Sequence, residues 1–313
     1  MLSRVADSLY WMSRYLERAE NTARALDVHL NLVLELSPQV GQSRYLDVLA
    51  GLQVEVQAGL VPTPNDLTLD AACRESISSS IAAARENARQ IREQISSEMF
   101  EQLNKLYLYI RSRPTQDRFA IEPHSVLQKV KDGAHLFQGI TDSTMIHGQG
   151  WIWIQVGRYM ERANCIAGLL LHHLKELLKA ADTDPHHYSE LLGLLKSLTA
   201  WEAYCKVYGA ELTNLAVARF LTLNADFPHS LHFCIHHLSK ALEALAQSTG
   251  TTAQDRLELR VGRLRARLRY ATIEELLEAP LVDFLQHVRE ELNAVHQVLY
   301  ELYLNQQFAR NAY

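Results

Sequence analysis

Two short clusters of arginine and glutamate are the part of this sequence best suited to bind or process a charged molecule. The pattern Arg-Tyr-x-Glu-Arg-Ala stands at residues 14–19 and again at residues 158–163. The charged residues of the two clusters are Arg14, Glu17, Arg18, Arg158, Glu161 and Arg162. At spacings of three and four, these side chains share one face of a helix, and Asn21 continues the first face. Guanidinium groups bind carboxylate or phosphate through paired hydrogen bonds, so both clusters are candidate anion sites.

The same helical faces also carry apolar residues, which indicates that the charges are at least partly covered. Ala25 and Leu32 continue the first face, and the second face has the same character. Covered charges have to be paired, because a buried ion without a partner costs several kcal/mol. Two arginines for each glutamate leave a cationic surplus. An anionic guest would neutralise this surplus, as would acidic side chains of a third helix, such as Glu86, Glu93 or Glu98.

Three functional interpretations follow, and the residues leave them open. In the first, an accessory or substrate-handling subunit holds a carboxylate or phosphate with its arginines, while Glu17 and Glu161 orient them or meet a substrate amine. In the second, the protein is an enzyme that uses Glu17 or Glu161 as a general base on a peptide-derived substrate. In the third, it is a structural dimerisation module whose charges fix helix register. Arg85 and Arg89 form either a solvated helix edge or part of the lining of a cavity that faces the two clusters.

The elements that position these side chains are predicted to be helices throughout the chain. The eight prolines fall between segments in which apolar residues recur at spacings of three and four, and alternating β-branched runs are nearly absent. The expected helices cover residues 2–36, 43–59, 74–112, 124–140, 150–181, 187–208, 211–222, 229–248, 254–270, 273–278 and 281–307. We therefore predict an all-α fold, a helical bundle.

Internal repetition predicts that this bundle is built from two duplicated halves. The two arginine–glutamate clusters are 144 residues apart, and residues 69–81 resemble residues 223–235 at an offset of 154. We place the halves at residues 1–145 and 146–313, within one compact domain. A pseudo-twofold axis would bring the two cluster-bearing helices, here called the signature helices, face to face. Chance similarity between long amphipathic helices is the alternative.

Composition and missing motifs argue against several other classes of protein. The net charge of −5 provides no overall cationic field for nucleic acid, and the four scattered cysteines suit a reducing cytoplasm. We expect neither a secretory leader nor a membrane-spanning segment. No nucleotide-binding glycine motif occurs, so no cofactor is predicted. His229, His232 and His236 are spaced by three and four but lack further ligands, so no metal site is predicted.

A second concentration of arginine lies near the end of the chain. Six arginines stand between residues 256 and 269, and several of them share one helical face. Since aromatic residues that could stack on bases are nearly absent there, we expect a solvated or partner-facing stripe rather than a nucleic-acid site. Together with Trp151 and Trp153, such arginine stripes could serve a homodimer interface.

Four segments of the chain resemble the bacterial alpha-E family. They are LSRVADSLYWMSRYLERAENTARALD at residues 2–27, ARENARQIREQISSEMFEQLN at 84–104, GWIWIQVGRYMERANCIA at 150–167 and FLTLNADFPHSLHFCI at 220–235. In the last segment the family pattern usually has arginine where this chain has His229. This departure argues against an anion-binding role for position 229.

The resemblance implies a helical protein that is often encoded beside, or fused to, a circularly permuted ATP-grasp ligase. Transglutaminase-like and proteasome-like peptidases are other typical neighbours of the family. This company implies an amidoligase system that forms or processes amide bonds on peptides or proteins, with the ATP-grasp protein as partner. It leaves open whether the helical protein is itself catalytic, because a fold does not confer chemistry.

Overall fold

The computed structural model describes residues 1–35, 37–56, 60–177, 187–249, 255–272 and 281–304. Its α-helices are α1 (Ser3–Leu32), α2 (Pro38–Gly51), α3 (Pro64–Leu69), α4 (Ile77–Gln90), α5 (Ser97–Arg111), α6 (Arg113–Ile121), α7 (Pro123–Thr144), α8 (Gln149–Leu177), α9 (His187–Ser197), α10 (Trp201–Tyr208), α11 (Asn214–Leu223), α12 (Leu231–Thr249), α13 (Asp255–Tyr270) and α14 (Leu281–Leu299). Short 3-10 helices follow α1 and α4, and a π-helical turn follows α14. These ranges contain no β-strand, which confirms the predicted all-α class.

Two long helices predicted as continuous are each divided into two helices in the structure. The one at 74–112 is α4 and α5, because Ser96 caps a new helix by accepting a hydrogen bond from the Met99 amide at 3.2 Å. The one at 187–208 is α9 and α10, because the backbone at Thr199 enters the left-handed region, with φ of 51°. Both interruptions depend on local backbone geometry that the spacing of apolar residues does not report.

Shorter differences occur near prolines. The helix predicted at 43–59 begins at Pro38 and ends at Gly51 as α2. The short helices α3 and α6 were missed; α3 begins with a capping box between Thr63 and Asp66. The predicted helix at 273–278 lies outside the described residues, as do the ends of those predicted at 150–181 and 281–307.

The two signature helices, α1 and α8, pack directly against each other. Ser13 donates a hydrogen bond from its hydroxyl to the Ile154 carbonyl at 2.7 Å, between one helix and the other. At Gly157 a Cβ atom would lie only 2.5 Å from the Tyr10 carbonyl oxygen. The small side chains at this crossing therefore let the helices approach closely enough for long charged side chains to reach across.

The surroundings of α1 and α8 correspond in several respects. Helix α1 packs against α4 and α7, while α8 packs against α12 and α14. Ahead of α4, the Ser76 hydroxyl donates to the Asp70 carbonyl and accepts from the Ser79 amide. Ahead of α12, the Ser230 hydroxyl makes the same two bonds with residues 224 and 233. These correspondences support the duplication at 1–145 and 146–313, which stays a prediction together with its pseudo-twofold axis.

A single apolar core runs through both predicted halves and includes side chains from α1, α4, α8, α12 and α14. Within the described ranges, no helix has the length and apolar character needed to cross a membrane. The four cysteines are free thiols. The cytoplasmic location stays a prediction.

Replacing Gly168 by alanine tests the close approach that fixes α2 against α8. The new Cβ would lie 2.2 Å from the Gly51 carbonyl oxygen, so backbone must move, and we expect the free energy of unfolding to fall by about 1–3 kcal/mol. Urea denaturation followed by circular dichroism measures the change. Gly139→Ala is the matched control, since a Cβ there meets nothing within 4 Å and α7 should gain about 0.5–1 kcal/mol. Equal effects of the two substitutions would contradict the packing described here.

Candidate functional site

The charged residues of the two signature helices pair crosswise, each glutamate with an arginine of the other helix. Arg162 on α8 holds Glu17 on α1 through two contacts, Nε–Oε1 at 2.5 Å and Nη2–Oε2 at 3.1 Å. In the reverse direction, Arg18 Nε donates to Glu161 Oε1 at 2.6 Å. The structure therefore brings the two clusters together as predicted, while Glu86 instead pairs with Arg89 on the surface of α4.

Arg14 completes the coordination of Glu161 from inside the bundle. Its Nε donates to Glu161 Oε2 at 2.6 Å, and its Nη1 donates to the Tyr10 hydroxyl at 2.9 Å. The Tyr10 oxygen lies 2.9 Å from His296 Nδ1, and the ring of Trp11 faces the guanidinium at 4.8 Å. Arg14 is thus enclosed by protein partners, which favours a structural role for this member of the predicted site.

The electrostatics of the crossed pairs favour the charged forms of Glu161 and Arg162. Burial by itself would raise the pKa of Glu161, but Arg14 and Arg18 override it and lower the pKa to about 2. Burial would lower the pKa of Arg162, but the adjoining Glu17 carboxylate raises it instead. The buried members of the crossed pairs are Arg14, Glu17, Glu161 and Arg162, and Glu17 is only 2% exposed. Since the ion pairs are shielded from water, they interact far more strongly than surface pairs do.

This environment weighs against either glutamate as a general base. Both oxygens of Glu161 accept hydrogen bonds from guanidinium groups, and those of Glu17 accept from Arg162 and, at 3.2 Å, from Gln138. A catalytic base at neutral pH needs a pKa near 7, whereas the pKa of Glu161 lies far below that. The glutamates act here as anchors for arginine.

Arg158 departs from the crossed pattern. Its counterpart Arg14 reaches a glutamate, but Arg158 lies 3.5 Å from Gln155 Oε1 and 3.9 Å from a carboxylate oxygen of Asp142. Burial lowers the pKa of Arg158, and only 7% of the residue is exposed. Part of the cationic surplus predicted from sequence is therefore located at Arg158.

The rest of the surplus faces an open cavity beside the crossed pairs. Arg18 lines this cavity of about 220 Å³, together with Asn21, Glu161, Asn164 and Arg74. We call it the Arg18 cavity. Its walls are α1, α8, the end of α2 with the turn that follows, and the loop before α4. The Arg18 side chain is 30% exposed and donates a hydrogen bond from Nε to Glu161. Its two terminal nitrogens, Nη1 and Nη2, make no hydrogen bond to the residues that the structure describes.

Two asparagines of the Arg18 cavity carry buried polar atoms without a partner in the described structure. They are Nδ2 of Asn21, a donor, and Oδ1 of Asn164, an acceptor. Asn21 is 5% exposed and Asn164 is 7% exposed. An unsatisfied buried polar group costs about 1–3 kcal/mol, which is the kind of cost that ligand sites carry. Asn21 belonged to the predicted site, whereas Asn164 was missed although it follows Glu161 by three residues.

Arg85 and Arg89 do not line the Arg18 cavity, which corrects that alternative for them. Arg85 donates from Nε to Asn104 Oδ1 at 2.7 Å and faces the ring of Tyr107 on α5. Arg89 is exposed and held by Glu86 at 2.8 Å. Both guanidiniums are used on the far side of α4, because that stripe faces α5 and solvent instead of the signature helices.

A further charged group near Arg162 was not found from the sequence. Glu20 is buried and forms an ion pair with Arg24, one turn along α1. His135 Nε2 lies 3.5 Å from the same carboxylate, which keeps the pKa of Glu20 low despite its burial. Burial, reinforced by Arg162, lowers the pKa of His229 well below its ordinary value. His229 is therefore neutral and does not replace the cation that the family pattern usually has there.

The remaining predicted groups have local partners. His232 Nδ1 lies 3.1 Å from the Leu223 carbonyl oxygen, and the His236 ring packs edge-to-face on the neighbouring His237 ring with 5.4 Å between centroids. Among the residues described, no three metal-ligating side chains are grouped so as to hold an ion. In the arginine stripe of α13, Arg260 pairs with Glu291 and Arg265 with Glu243, each at 3.0–3.1 Å.

Comparison with known proteins gives a match along almost the whole chain. The sequence profile of the Alpha-E family, described as a predicted alpha-helical domain with a conserved ER motif, matches residues 1–304. In this chain the Glu-Arg dipeptide occurs twice, at 17–18 and 161–162. No solved structure matches.

The similar curated proteins are bacterial. An uncharacterised protein of Mycobacterium bovis is 26% identical over 330 residues, which cover 95% of this chain and 36% of that protein. Uncharacterised proteins from two strains of Mycobacterium tuberculosis are 26% and 25% identical over the same shares. The chain therefore spans about a third of the length of the curated relatives it matches.

Proposed function

The chain belongs to the Alpha-E family, and on that premise we propose that it is an accessory subunit that holds an anionic part of a peptide or protein substrate for an amide-bond ligase of the ATP-grasp type. The observation that carries the proposal is the Arg18 cavity. In this cavity the guanidinium group of Arg18, anchored by Glu161, shares the lining with Asn21 and Asn164. Each of these asparagines has a buried polar atom without a protein partner in the described structure.

The division of labour among the arginines supports binding rather than catalysis. Arg14 and Arg162 are buried and engaged with glutamate, so they fix the two signature helices relative to each other. Arg18 is held in place by Glu161 but remains partly exposed. A guanidinium positioned in this way is preorganised for a carboxylate, which lowers the entropic cost of binding.

The identity of the partner rests on the resemblance of the chain to the alpha-E family, which implies a circularly permuted ATP-grasp protein. The relatives support a joint function in one respect, because the matched region occupies only 36% of the Mycobacterium bovis protein. In that protein a domain of this kind is joined to a longer stretch of further chain. Binding of substrate by one unit and chemistry by another is a natural arrangement for such a system.

Arg18→Gln in a reconstituted system tests the proposed function. We expect the rate of ATP-dependent product formation with the ATP-grasp partner to fall about tenfold to hundredfold, the effect of losing a charge-assisted hydrogen bond. Mass spectrometry of a cellular peptide mixture incubated with both proteins and ATP measures the products. Arg113→Gln is the matched control, because Arg113 is an exposed arginine of α6 paired with Asp117. Full activity of a folded Arg18→Gln variant would refute the proposal.

A purely structural role is the second candidate, and the crossed pairs favour it. The contacts between Arg162 and Glu17 and between Arg14 and Glu161 fix the contact of α1 with α8 whether or not a ligand binds. In this alternative, which includes the dimerisation module, the Arg18→Gln variant retains activity and only the buried arginines matter. The homodimer, the lack of nucleic-acid binding and catalysis by Glu17 or Glu161 stay untested predictions.

A further inference from the structure

The Arg18 cavity presents one unpartnered donor and one unpartnered acceptor from two different helices. Nδ2 of Asn21 belongs to α1, and Oδ1 of Asn164 belongs to α8. The N–H and C=O groups of a trans amide point in opposite directions, so a single amide between the two helices can satisfy both atoms. A carboxylate alone, or a fully ionised phosphate monoester, offers acceptors only and would leave the Asn164 oxygen unpaired.

Arg18 and Asn21 lie on the same face of α1, about one turn apart. Arg18 precedes Asn21 by three residues on α1, which corresponds to about 4.5 Å along the helix axis. One residue of extended peptide spans about 3.3–3.6 Å. The C-terminal residue of a peptide joins its carboxylate and its backbone amide through a single Cα, so it can place the carboxylate on Arg18 and the amide beside Asn21 and Asn164 in this one cavity.

The other charges around the cavity favour a single negative charge over a phosphate. Arg74 adds a second cation to the lining, but Glu55 and Glu75 add two acids, and Glu161 is already neutralised by arginine. These two carboxylates repel a dianion more strongly than a monoanion. The volume of about 220 Å³ is also below the 300–1,000 Å³ of sites for drug-sized ligands, so the cavity has room for a small group such as one terminal residue.

We propose that the Arg18 cavity binds the C-terminal residue of a peptide, with the terminal carboxylate on Arg18 and the adjoining backbone amide between Asn21 and Asn164. The proposal rests on the substrate-holding function proposed above and names its substrate class. A free amino acid offers an ammonium group in place of the amide and would leave Nδ2 of Asn21 without an acceptor next to its carboxylate.

Affinity selection with defined probes tests this inference on the full chain. The probes are N-acetyl-alanyl dipeptides with each of the twenty residues at the C-terminus, as free acids and as matched carboxamides. Free amino acids and inorganic phosphate are tested alongside. Ultrafiltration with mass spectrometry identifies retained compounds, and calorimetry measures their dissociation constants. We expect at least one free acid to bind, and to bind at least tenfold more tightly than its carboxamide.

Two variants connect this binding to the named residues. Arg18→Gln and Asn164→Leu should each weaken the retained free acid at least tenfold, while Arg113→Gln should leave its affinity unchanged. Thermal melting by circular dichroism establishes that the variants are folded. If one of them does not fold, the comparison of free acid with carboxamide on the unmodified protein still decides the question.

The inference is overturned if no free acid binds at millimolar concentration, if acids and carboxamides bind equally, or if phosphate or free amino acids bind more tightly than the dipeptides. Its failure can be told apart from failure of the proposed function. If Arg18→Gln loses ligase activity but the unmodified protein binds no dipeptide, only the proposed substrate class is overturned. Dipeptide binding combined with full ligase activity of Arg18→Gln would overturn the accessory function alone.

Discussion

Replacing Glu161 by glutamine is expected to lower the free energy of unfolding by about 3–5 kcal/mol, the usual cost of removing one partner from a buried ion pair. Glu161 is 7% exposed and accepts hydrogen bonds from Arg14 and Arg18, both at 2.6 Å. Glutamine has nearly the same shape but no charge, so both guanidiniums lose their counterion. Arg14 is affected most, because it is itself buried and cannot turn toward water.

Urea denaturation followed by circular dichroism measures this loss as a lower transition midpoint with an unchanged slope. Glu86→Gln is the matched control, since Glu86 forms an exposed pair with Arg89 on α4. Exposed pairs of this kind contribute about 0–1 kcal/mol. A loss for Glu161→Gln no larger than for Glu86→Gln would contradict the description of the crossed pairs.

Acid is expected to remove about 3 kcal/mol of stability through Glu161 alone. The folded protein lowers the pKa of this carboxyl group from its ordinary value of 4.5 to about 2, because Arg14 and Arg18 outweigh burial. Since the folded pKa is below the unfolded pKa, the unfolded state binds the proton more readily. Each pKa unit corresponds to 1.36 kcal/mol, so the contribution is fully present above about pH 5 and is lost as the pH falls from 4.5 toward 2.

Unfolding free energies measured by urea titration between pH 7 and pH 3 reveal this dependence. The difference between the unmodified protein and Glu161→Gln isolates the carboxyl group, because all other acids titrate in both proteins. We expect that difference to shrink as the pH falls below 4.5. A difference that stays constant from pH 7 to pH 3 would show that Glu161 carries no lowered pKa.

The repeated cluster predicted that its charged residues meet, with Arg158 as the exception, because residues at spacings of three and four share a helical face. The crosswise pairing could not be predicted, because a helical face does not reveal which side chains of another helix oppose it. The same limit explains Arg85: its stripe lies beside apolar residues, but the structure turns it toward Asn104 on α5. Asn164 was missed because a lone asparagine in a helix carries no signal until its unpartnered oxygen is seen in a cavity.

The fold was predictable to the extent that it follows from periodicity. Apolar residues at spacings of three and four predicted the helices and the all-α class, and prolines marked most of the connections between helices. Breaks within periodic segments were missed, because Ser96 caps α5 without disturbing the apolar spacing on either side. Helix α3 was missed for the opposite reason, since its six residues are too few to establish a period.

A double-mutant cycle on Arg162 and Glu17 tests the central claim most directly, namely that the two signature helices are joined by buried crosswise ion pairs. The variants are Arg162→Met, Glu17→Gln and the two combined, and the measured quantity is the free energy of unfolding. The pair is bidentate and Glu17 is 2% exposed. We therefore predict a coupling energy of about 1.5–3 kcal/mol: the double variant should lose less free energy of unfolding, by this amount, than the two single variants lose in sum. Additive losses, agreeing within about 0.5 kcal/mol, would contradict the pairing and with it the account of how Arg18 is positioned.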